Sequence, residues 1–156
     1  NIKIRGKKKD VISFLENEIL KVKQIKFPEK PKTENIKMEF NGFSYVYELE
    51  NNKDVLYLKD STRCFIEQRI IEIYLYSDTN KSQTYVILNI RQAWGIEENL
   101  FEKLSDKYNL DFNIYASERG MEFEQYITII DGEITKNETK EYDDFYFEAI
   151  NPELGG

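Results

Sequence analysis

Residues 84–135 contain a series of sharply separated segments in which the apolar periodicity changes from strand to helix and back to strand. The segments are a β-branched apolar run, a helical stripe and two extended runs: residues 84–92, 97–108, 111–116 and 122–130. Asp131-Gly132 then predicts a tight hairpin to the next strand. Such a unit forms half of a two-layer sandwich of helix and sheet, so it favours an α+β fold for the whole chain.

The part of the chain before this unit adds one more helix and several strands. Asp10 is predicted to be the N-cap of a helix whose apolar stripe continues to Val22. Asn41-Gly42 predicts a type I′ hairpin, and residues 36–76 as a whole have the pattern of a β-hairpin-rich insertion. We therefore expect one α+β domain over residues 1–156, an antiparallel sheet with two helices on one face.

The C-terminal segment, residues 136–156, combines acidic and aromatic side chains. Its candidate interaction residues are Glu141, Tyr142, Asp143, Asp144 and Tyr146. One interpretation is an interaction tail that mimics the charge of a nucleic acid. The favoured interpretation is an edge strand over residues 142–147, whose acids discourage edge-to-edge pairing with another sheet.

Charge is distributed unevenly along the chain, whose net charge is −7 at pH 7. Residues 1–37 hold 11 basic and 5 acidic residues, a net charge of +6, and the remainder has a net charge of −13. The candidate basic patch consists of Lys3, Arg5, Lys7, Lys8 and Lys9. Such a patch could bind nucleic acid, but mutual neutralisation of the basic and acidic regions is the favoured interpretation.

The residues needed for common catalytic and metal sites are missing. The chain has no histidine and one cysteine, which excludes His-activated nucleophiles and zinc sites built on Cys and His. No glycine-rich phosphate loop occurs either, so we expect no catalytic residue, no metal and no cofactor. Cys64 is expected to be a buried apolar side chain, although Arg63 beside it could activate the thiol.

No apolar run approaches the roughly 18–20 residues that a membrane-spanning helix requires. A cytoplasmic protein without a membrane partner is therefore expected. The single cysteine agrees with this compartment because it cannot form an intramolecular disulfide.

A second candidate site lies around a glycine turn. Glu118, Arg119 and Glu122 surround Gly120, and Trp94 lies at the end of another strand. A pair of carboxylates beside an arginine could bind a small ligand, and these residues would then form an enzyme site. The favoured alternative is a solvated turn in which Gly120 supplies a positive φ and Trp94 packs against the core.

The same region resembles a known family. The matching residues are Ala93-Trp94, the segment LFEKLSDKYNLDF at 100–112, Glu118, Gly120-Met121, Phe123 and Asp131-Gly132-Glu133-Ile134. They resemble the YubB-type ferredoxin-like domain family of plasmid and phage proteins, over residues 84–134 and, loosely, over the first 20 residues. The resemblance implies a ferredoxin-like core and an accessory protein of a mobile element.

These observations favour a non-enzymatic protein that binds a macromolecular partner, including a role as an acidic inhibitor or regulator. A protein partner is favoured over nucleic acid because the chain is acidic overall, with a pI of about 4.8. The two alternatives are a small-molecule enzyme that uses Glu118, Arg119 and Glu122, and a nucleic-acid binder that uses the basic patch.

Overall fold

The computed structural model describes residues 1–20, 36–49, 56–61, 64–66, 70–78, 82–93 and 95–150. Within these ranges the strands are β1 Ile2–Gly6, β2 Ile36–Phe40, β3 Ser44–Leu49, β4 Leu56–Tyr57, β5 Cys64–Ile66, β6 Ile70–Tyr74, β7 Tyr76–Asp78, β8 Gln83–Leu88, β9 Arg91–Gln92, β10 Asp111–Glu118, β11 Phe123–Ile130 and β12 Glu133–Glu141. The helices are α1 Lys8–Phe14, which continues as a π-helical segment over Leu15–Leu20, α2 Glu98–Tyr108 and α3 Phe145–Glu148. The predicted α+β class is confirmed.

The large sheet joins six of the described strands in the order β12-β11-β10-β1-β8-β7, and every neighbouring pair is antiparallel. β1 lies in its middle, where Ile2 pairs with Leu88 on one side and with Ile114 on the other. Side chains alternate between the two faces of a strand. The core face is therefore the one that carries the buried chains, which include Ile2, Ile4, Val86, Leu88, Phe112, Ile114, Ile127 and Ile129.

Two smaller antiparallel sheets, β2-β3-β6 and β4-β5-β9, come mainly from the predicted β-rich region. Asn41-Gly42 does lie in the hairpin between β2 and β3, but the turn differs from the predicted type I′. Only Gly42 has a positive φ there, of 92°. The side chain of Asn41 accepts hydrogen bonds from the backbone N–H groups of Phe43 and Ser44, so it builds the turn through its side chain.

Aromatic side chains join the helices to the large sheet. The ring of Phe112 on β10 makes edge contacts with Phe14 of α1 at 5.9 Å and with Phe101 of α2 at 5.6 Å between ring centroids. Such edge-to-face pairs stabilise a core beyond the apolar area that they bury. Phe112 therefore connects both helices to the same strand.

The first helix differs from its prediction. It begins at Lys8 with Lys7 as the N-cap, so Asp10 lies within the first turn instead of capping it. The carboxylate at that position still interacts favourably with the positive end of the helix. The regular α-helix ends at Phe14, and Val22 lies outside the described residues.

The C-terminal segment also differs from its prediction. The last strand, β12, ends at Glu141, and Phe145–Glu148 form the short helix α3. The predicted edge strand over residues 142–147 is therefore wrong, because Tyr142 leaves the edge of the sheet and turns onto its other face. None of the helices formed by the described residues is long and apolar enough to cross a membrane.

Candidate functional site

The C-terminal segment is fixed to β11 at the point where β12 ends. Glu141 is the last residue of β12 and pairs with Phe123, and the backbone N–H of Tyr142 donates to the carbonyl of Glu122 at 3.0 Å. After this bond the chain leaves the sheet edge. Its next side chains lie over the face of β11 that carries Glu124 and Tyr126, opposite the core face. We call this second face of the large sheet the outer face.

Three tyrosines surround one buried carboxylate on the outer face. Glu124 is only 4% exposed. Its Oε1 accepts a hydrogen bond from the hydroxyl of Tyr115 at 2.7 Å, and its Oε2 accepts from Tyr126 at 3.0 Å and from Tyr142 at 2.5 Å. A buried charge is tolerated only when hydrogen bonds replace its hydration, and the three phenols do this for Glu124.

The shifts in pKa reflect this arrangement. Burial alone would raise the pKa of Glu124, but the hydrogen bonds from Tyr142, Tyr115 and Tyr126, together with the charge of Lys140, outweigh it and lower the pKa. The hydrogen bond to Glu124 raises the pKa of Tyr142 to about 12. Glu124 is therefore ionised and Tyr142 neutral at neutral pH, and the hydrogen bond between them holds the segment in place.

Beyond Tyr142, the chain forms a small apolar cluster of its own. Phe145 and Ala149 are buried with Tyr142, and the rings of Tyr142 and Phe145 meet edge to face at 5.5 Å. The Nζ of Lys140 lies over the Tyr142 ring, 4.2 Å from its centroid. The cluster gives residues 142–149 a fixed position although α3 has only four residues.

This cluster leaves the opposite side of the segment open to solvent. Phe147 is 86% exposed, Ile150 is 91% exposed, and Tyr146 is 61% exposed. The acids Glu141, Asp143, Asp144 and Glu148 are exposed around them. We call residues 141–150 the acidic-aromatic segment. All five of its predicted interaction residues therefore belong to one structured unit, in which Tyr142 is an anchor and the other four are exposed.

The glycine turn has a different geometry from the one predicted. Gly120 lies outside the left-handed region, and the residue of this turn with a positive φ is Glu122, at 53°. The backbone N–H of Gly120 donates to Oε1 of Glu118 at 2.9 Å, so this carboxylate closes the turn locally. The predicted strain at Gly120 is wrong. Glu118 is thus engaged within its own turn, while Glu122 is exposed.

Trp94, the remaining member of that predicted site, lies outside the described residues. Arg119 lies in the turn, half-buried. The proposal of a ligand site at this turn therefore rests on the sequence pattern alone.

The five residues of the basic patch are all exposed, on β1 and at the start of α1. The guanidinium of Arg5 pairs with Asp111 at 2.6 Å, the Nζ of Lys3 lies 4.6 Å from the centroid of the Tyr85 ring, and the Nζ of Lys8 lies 5.6 Å from the centroid of the Phe40 ring. The patch is thus interleaved with aromatic side chains, a feature that the sequence did not predict.

Two further features fit structural roles. Cys64 is fully buried, and burial raises the pKa of its thiol to about 12, which agrees with an unreactive core residue. An open groove of about 630 Å³ runs along α2, and the buried carboxylate of Glu18 beside it is bound by Lys107 Nζ at 2.7 Å and by the hydroxyl of Tyr108. Among the described residues no cluster of acidic or cysteine side chains has the arrangement of a metal site.

Glu124, Tyr115 and Tyr126, which hold the acidic-aromatic segment in place, were not predicted from the sequence. A signal for them does exist, since Glu124 and Tyr126 are two residues apart in a predicted strand and so share a face. Comparison with known proteins adds no relative, because no protein-family model, no curated protein and no solved structure matches the chain.

Proposed function

We propose that the protein is a non-enzymatic binding protein and that its acidic-aromatic segment binds a protein partner. The observation that carries the proposal is the exposure of Phe147 and Ile150, at 86% and 91%, on a segment that is otherwise anchored. Large apolar side chains gathered at an exposed site mark interaction surfaces, and aromatic anchors dominate the energy of such interfaces.

The chemistry of the segment describes the partner. The acids Asp143, Asp144 and Glu148 surround the apolar side chains, so the complementary surface is an apolar pocket with basic residues at its rim. Anchoring through Tyr142 and Phe145 limits the conformational entropy that binding would cost. A basic rim is typical of surfaces that bind nucleic acid, and this supports a role as an acidic inhibitor or regulator of such a protein.

The finer description of the fold belongs to the same proposal. The elements β1, α1, β7, β8, α2 and β10 follow the β-α-β-β-α-β order of a ferredoxin-like core. In the sheet β10 lies beside β1, β1 beside β8 and β8 beside β7, which supports this core, with β11 and β12 added at its edge. Contacts of Phe112 with both Phe14 and Phe101 support two helices on one face.

Membership of the YubB-type family, a cytoplasmic location and an origin on a phage or plasmid remain proposals. The first and last rest on the resemblance of residues 84–134 to that family.

An affinity capture from the host cell, analysed by mass spectrometry, tests the function. The wild-type chain is compared with the double variant Phe147→Ser/Ile150→Ser, and Phe43→Ser is the matched control because Phe43 is 78% exposed and lies outside the segment, in the hairpin between β2 and β3. We expect a partner that is captured by the wild type and the control and is lost with the double variant. Equal capture by all three proteins would contradict the proposal.

A further inference from the structure

The outer face of the large sheet carries a group of basic and aromatic side chains far from the acidic-aromatic segment. Because Ile2, Ile4 and Val86 lie on the core face, the alternating residues Lys3 and Tyr85 lie on the outer face. The acidic-aromatic segment covers β11, near one edge of the large sheet. This group lies on β1, β8 and β7, towards the opposite edge.

Three tyrosines form a row that runs from β8 and β7 of the large sheet to the end of β6 in the neighbouring small sheet. Tyr76 pairs directly with Tyr85, and their rings are stacked with centroids 5.0 Å apart and an interplanar angle of 13°. Tyr74 extends the row, with its ring centroid 6.2 Å from that of Tyr76. Tyr74 and Tyr76 are nearly half exposed, at 47% and 46%. We call Tyr74, Tyr76 and Tyr85 the tyrosine row.

Positive charge lies directly beside the row. Lys3 is placed over the ring of Tyr85, and Arg5 is the β1 residue in register with Tyr85. Residues 1–9 contain five basic residues and no acidic residue. Asp111 pairs with Arg5 and neutralises part of this charge, and Glu72 is hydrogen-bonded to Tyr74 at the other end of the row. The positive charge is therefore concentrated at the Tyr85 end, where Lys3 lies over the ring.

Exposed tyrosine rings on an open sheet next to lysines have the chemistry that binds unpaired bases. A base of any sequence can stack on an aromatic ring, and the phosphates between bases are neutralised by basic side chains. A duplex hides its bases, so exposed aromatic rings offer it few stacking contacts. We propose that the tyrosine row, together with Lys3 and Arg5, binds single-stranded nucleic acid without sequence preference.

The overall charge of −7 sets the expected character of this binding. Long-range repulsion weakens association, so the affinity is modest and carried by stacking, with few phosphate contacts. Each phosphate contact on a single strand contributes about −0.7 to the slope of log K against log salt concentration. Lys3→Gln is therefore expected to make the slope shallower by about this amount.

Fluorescence anisotropy with labelled oligomers of about 12 nucleotides tests the proposal. Single-stranded RNA and single-stranded DNA are measured in parallel with a duplex of the same sequence, at about 50 mM and about 200 mM salt. We expect both single strands to bind more tightly than the duplex and more weakly at the higher salt. Comparison of the two single strands shows whether the ribose 2′-hydroxyl contributes.

The variants separate the row from the rest of the surface. Tyr74→Ala and Tyr76→Ala are each expected to weaken binding about fivefold or more, whereas Tyr76→Phe keeps the ring and the affinity. Phe147→Ser is the matched control, an exposed aromatic outside the row, and retains binding. Circular dichroism confirms that each variant is folded. Tyr74 and Tyr76 are substituted because they are exposed, whereas Tyr85 is half-buried and its substitution would disturb the fold more.

Three results would overturn the proposal. They are no binding of either single strand at the lower salt, affinity for the duplex equal to that for the single strands, and unchanged affinity in both alanine variants. None of these results bears on partner capture by Phe147 and Ile150, so the proposed function and this inference fail independently.

Discussion

The hydroxyl of Tyr142 lies 2.5 Å from Oε2 of Glu124, and this contact holds the chain after β12 against the outer face of the sheet. The two residues are 18 positions apart, and β12 brings them together by running back along β11. The acidic-aromatic segment thus depends on a carboxylate that belongs to the neighbouring strand.

Replacing Glu124 with glutamine tests that dependence. The amide keeps one accepting oxygen but turns an NH2 group towards phenols that donate, which leaves buried donors without acceptors. We expect a loss of about 1–3 kcal/mol in the free energy of unfolding, measured by urea titration. Glu138→Gln is the matched control, since Glu138 is an exposed carboxylate on β12 that pairs with Lys136 at 3.0 Å, and it should change stability by less than about 1 kcal/mol.

The difference in the free energy of unfolding between the wild type and Glu124→Gln depends on pH. The lowered pKa of Glu124 means that its contribution is present above the unfolded value, about 4.3, and is lost as the pH falls through the folded pKa. The stability difference between wild type and Glu124→Gln should therefore shrink in acid. A difference that stays constant down to about pH 2 would contradict the assigned role of the carboxylate.

Tyr142→Phe gives the complementary test in alkali. The hydrogen bond to Glu124 raises the pKa of Tyr142 to about 12, above the ordinary value of about 10. The neutral hydroxyl therefore stabilises the fold fully below about pH 10, and the stabilisation is lost as the pH rises towards about 12. We expect the free energy of unfolding of the wild type to exceed that of the variant by about 1 kcal/mol near neutral pH. The two values should converge above about pH 12. Urea titrations across this pH range measure the difference in the free energy of unfolding. A difference that is the same at every pH would argue against the hydrogen bond between Tyr142 and Glu124.

The core side of α2 can be probed with a pair of leucines. Both side chains reach the open groove along α2, but Leu104 is buried against the sheet, whereas Leu100 is only half-buried. Leu104→Ala should cost about 2–5 kcal/mol, and Leu100→Ala should cost clearly less. Denaturant titration compares the free energies of unfolding of the two variants. Similar losses of stability would mean that Leu100, on the groove side of the helix, is covered as well.

Alanine substitutions at two glycines distinguish the cost of backbone strain from the cost of steric crowding. Gly132 has a φ of 80° in the hairpin between β11 and β12, so Gly132→Ala should cost about 1–2 kcal/mol. Gly120 lacks a positive φ, and an added Cβ would meet only the movable carboxylate of Glu118 at 3.1 Å, so Gly120→Ala should change stability by less than about 0.5 kcal/mol. Thermal unfolding ranks the two variants, and the reverse order would show that the turn geometry is misassigned.

Local sequence rules predicted the elements that depend on local physics. Asp131-Gly132 forms its hairpin with both residues at positive φ. In the apolar stripe of α2, Phe101 and Leu104 are buried as predicted, whereas Leu100 is only half-buried. Gly120 was predicted to be the left-handed residue because glycine adopts that conformation most easily. The chain instead places Glu122 there, since the side chain of Glu118 already closes the turn at Gly120.

The site depends on pairings that no local rule supplies. Tyr115, Glu124 and Tyr142 meet only because the register pairs Tyr115 with Tyr126 and then returns the chain along β12. The stack of Tyr76 on Tyr85 depends likewise on the pairing of β7 with β8. Alternation along each strand indicates which residues share a face, but not which strands become neighbours.

The central position of β1 has a consequence for how the chain folds during synthesis. β1 precedes both of its partners, since Ile4 pairs with Val86 and with Phe112, so it leaves the ribosome well before either neighbour exists. Closing such long loops costs entropy before any pairing repays it, which slows folding. Until β8 emerges, β1 has neither of its neighbours in the sheet, and the lysines and arginine that alternate along it and follow it then help to keep the nascent chain soluble.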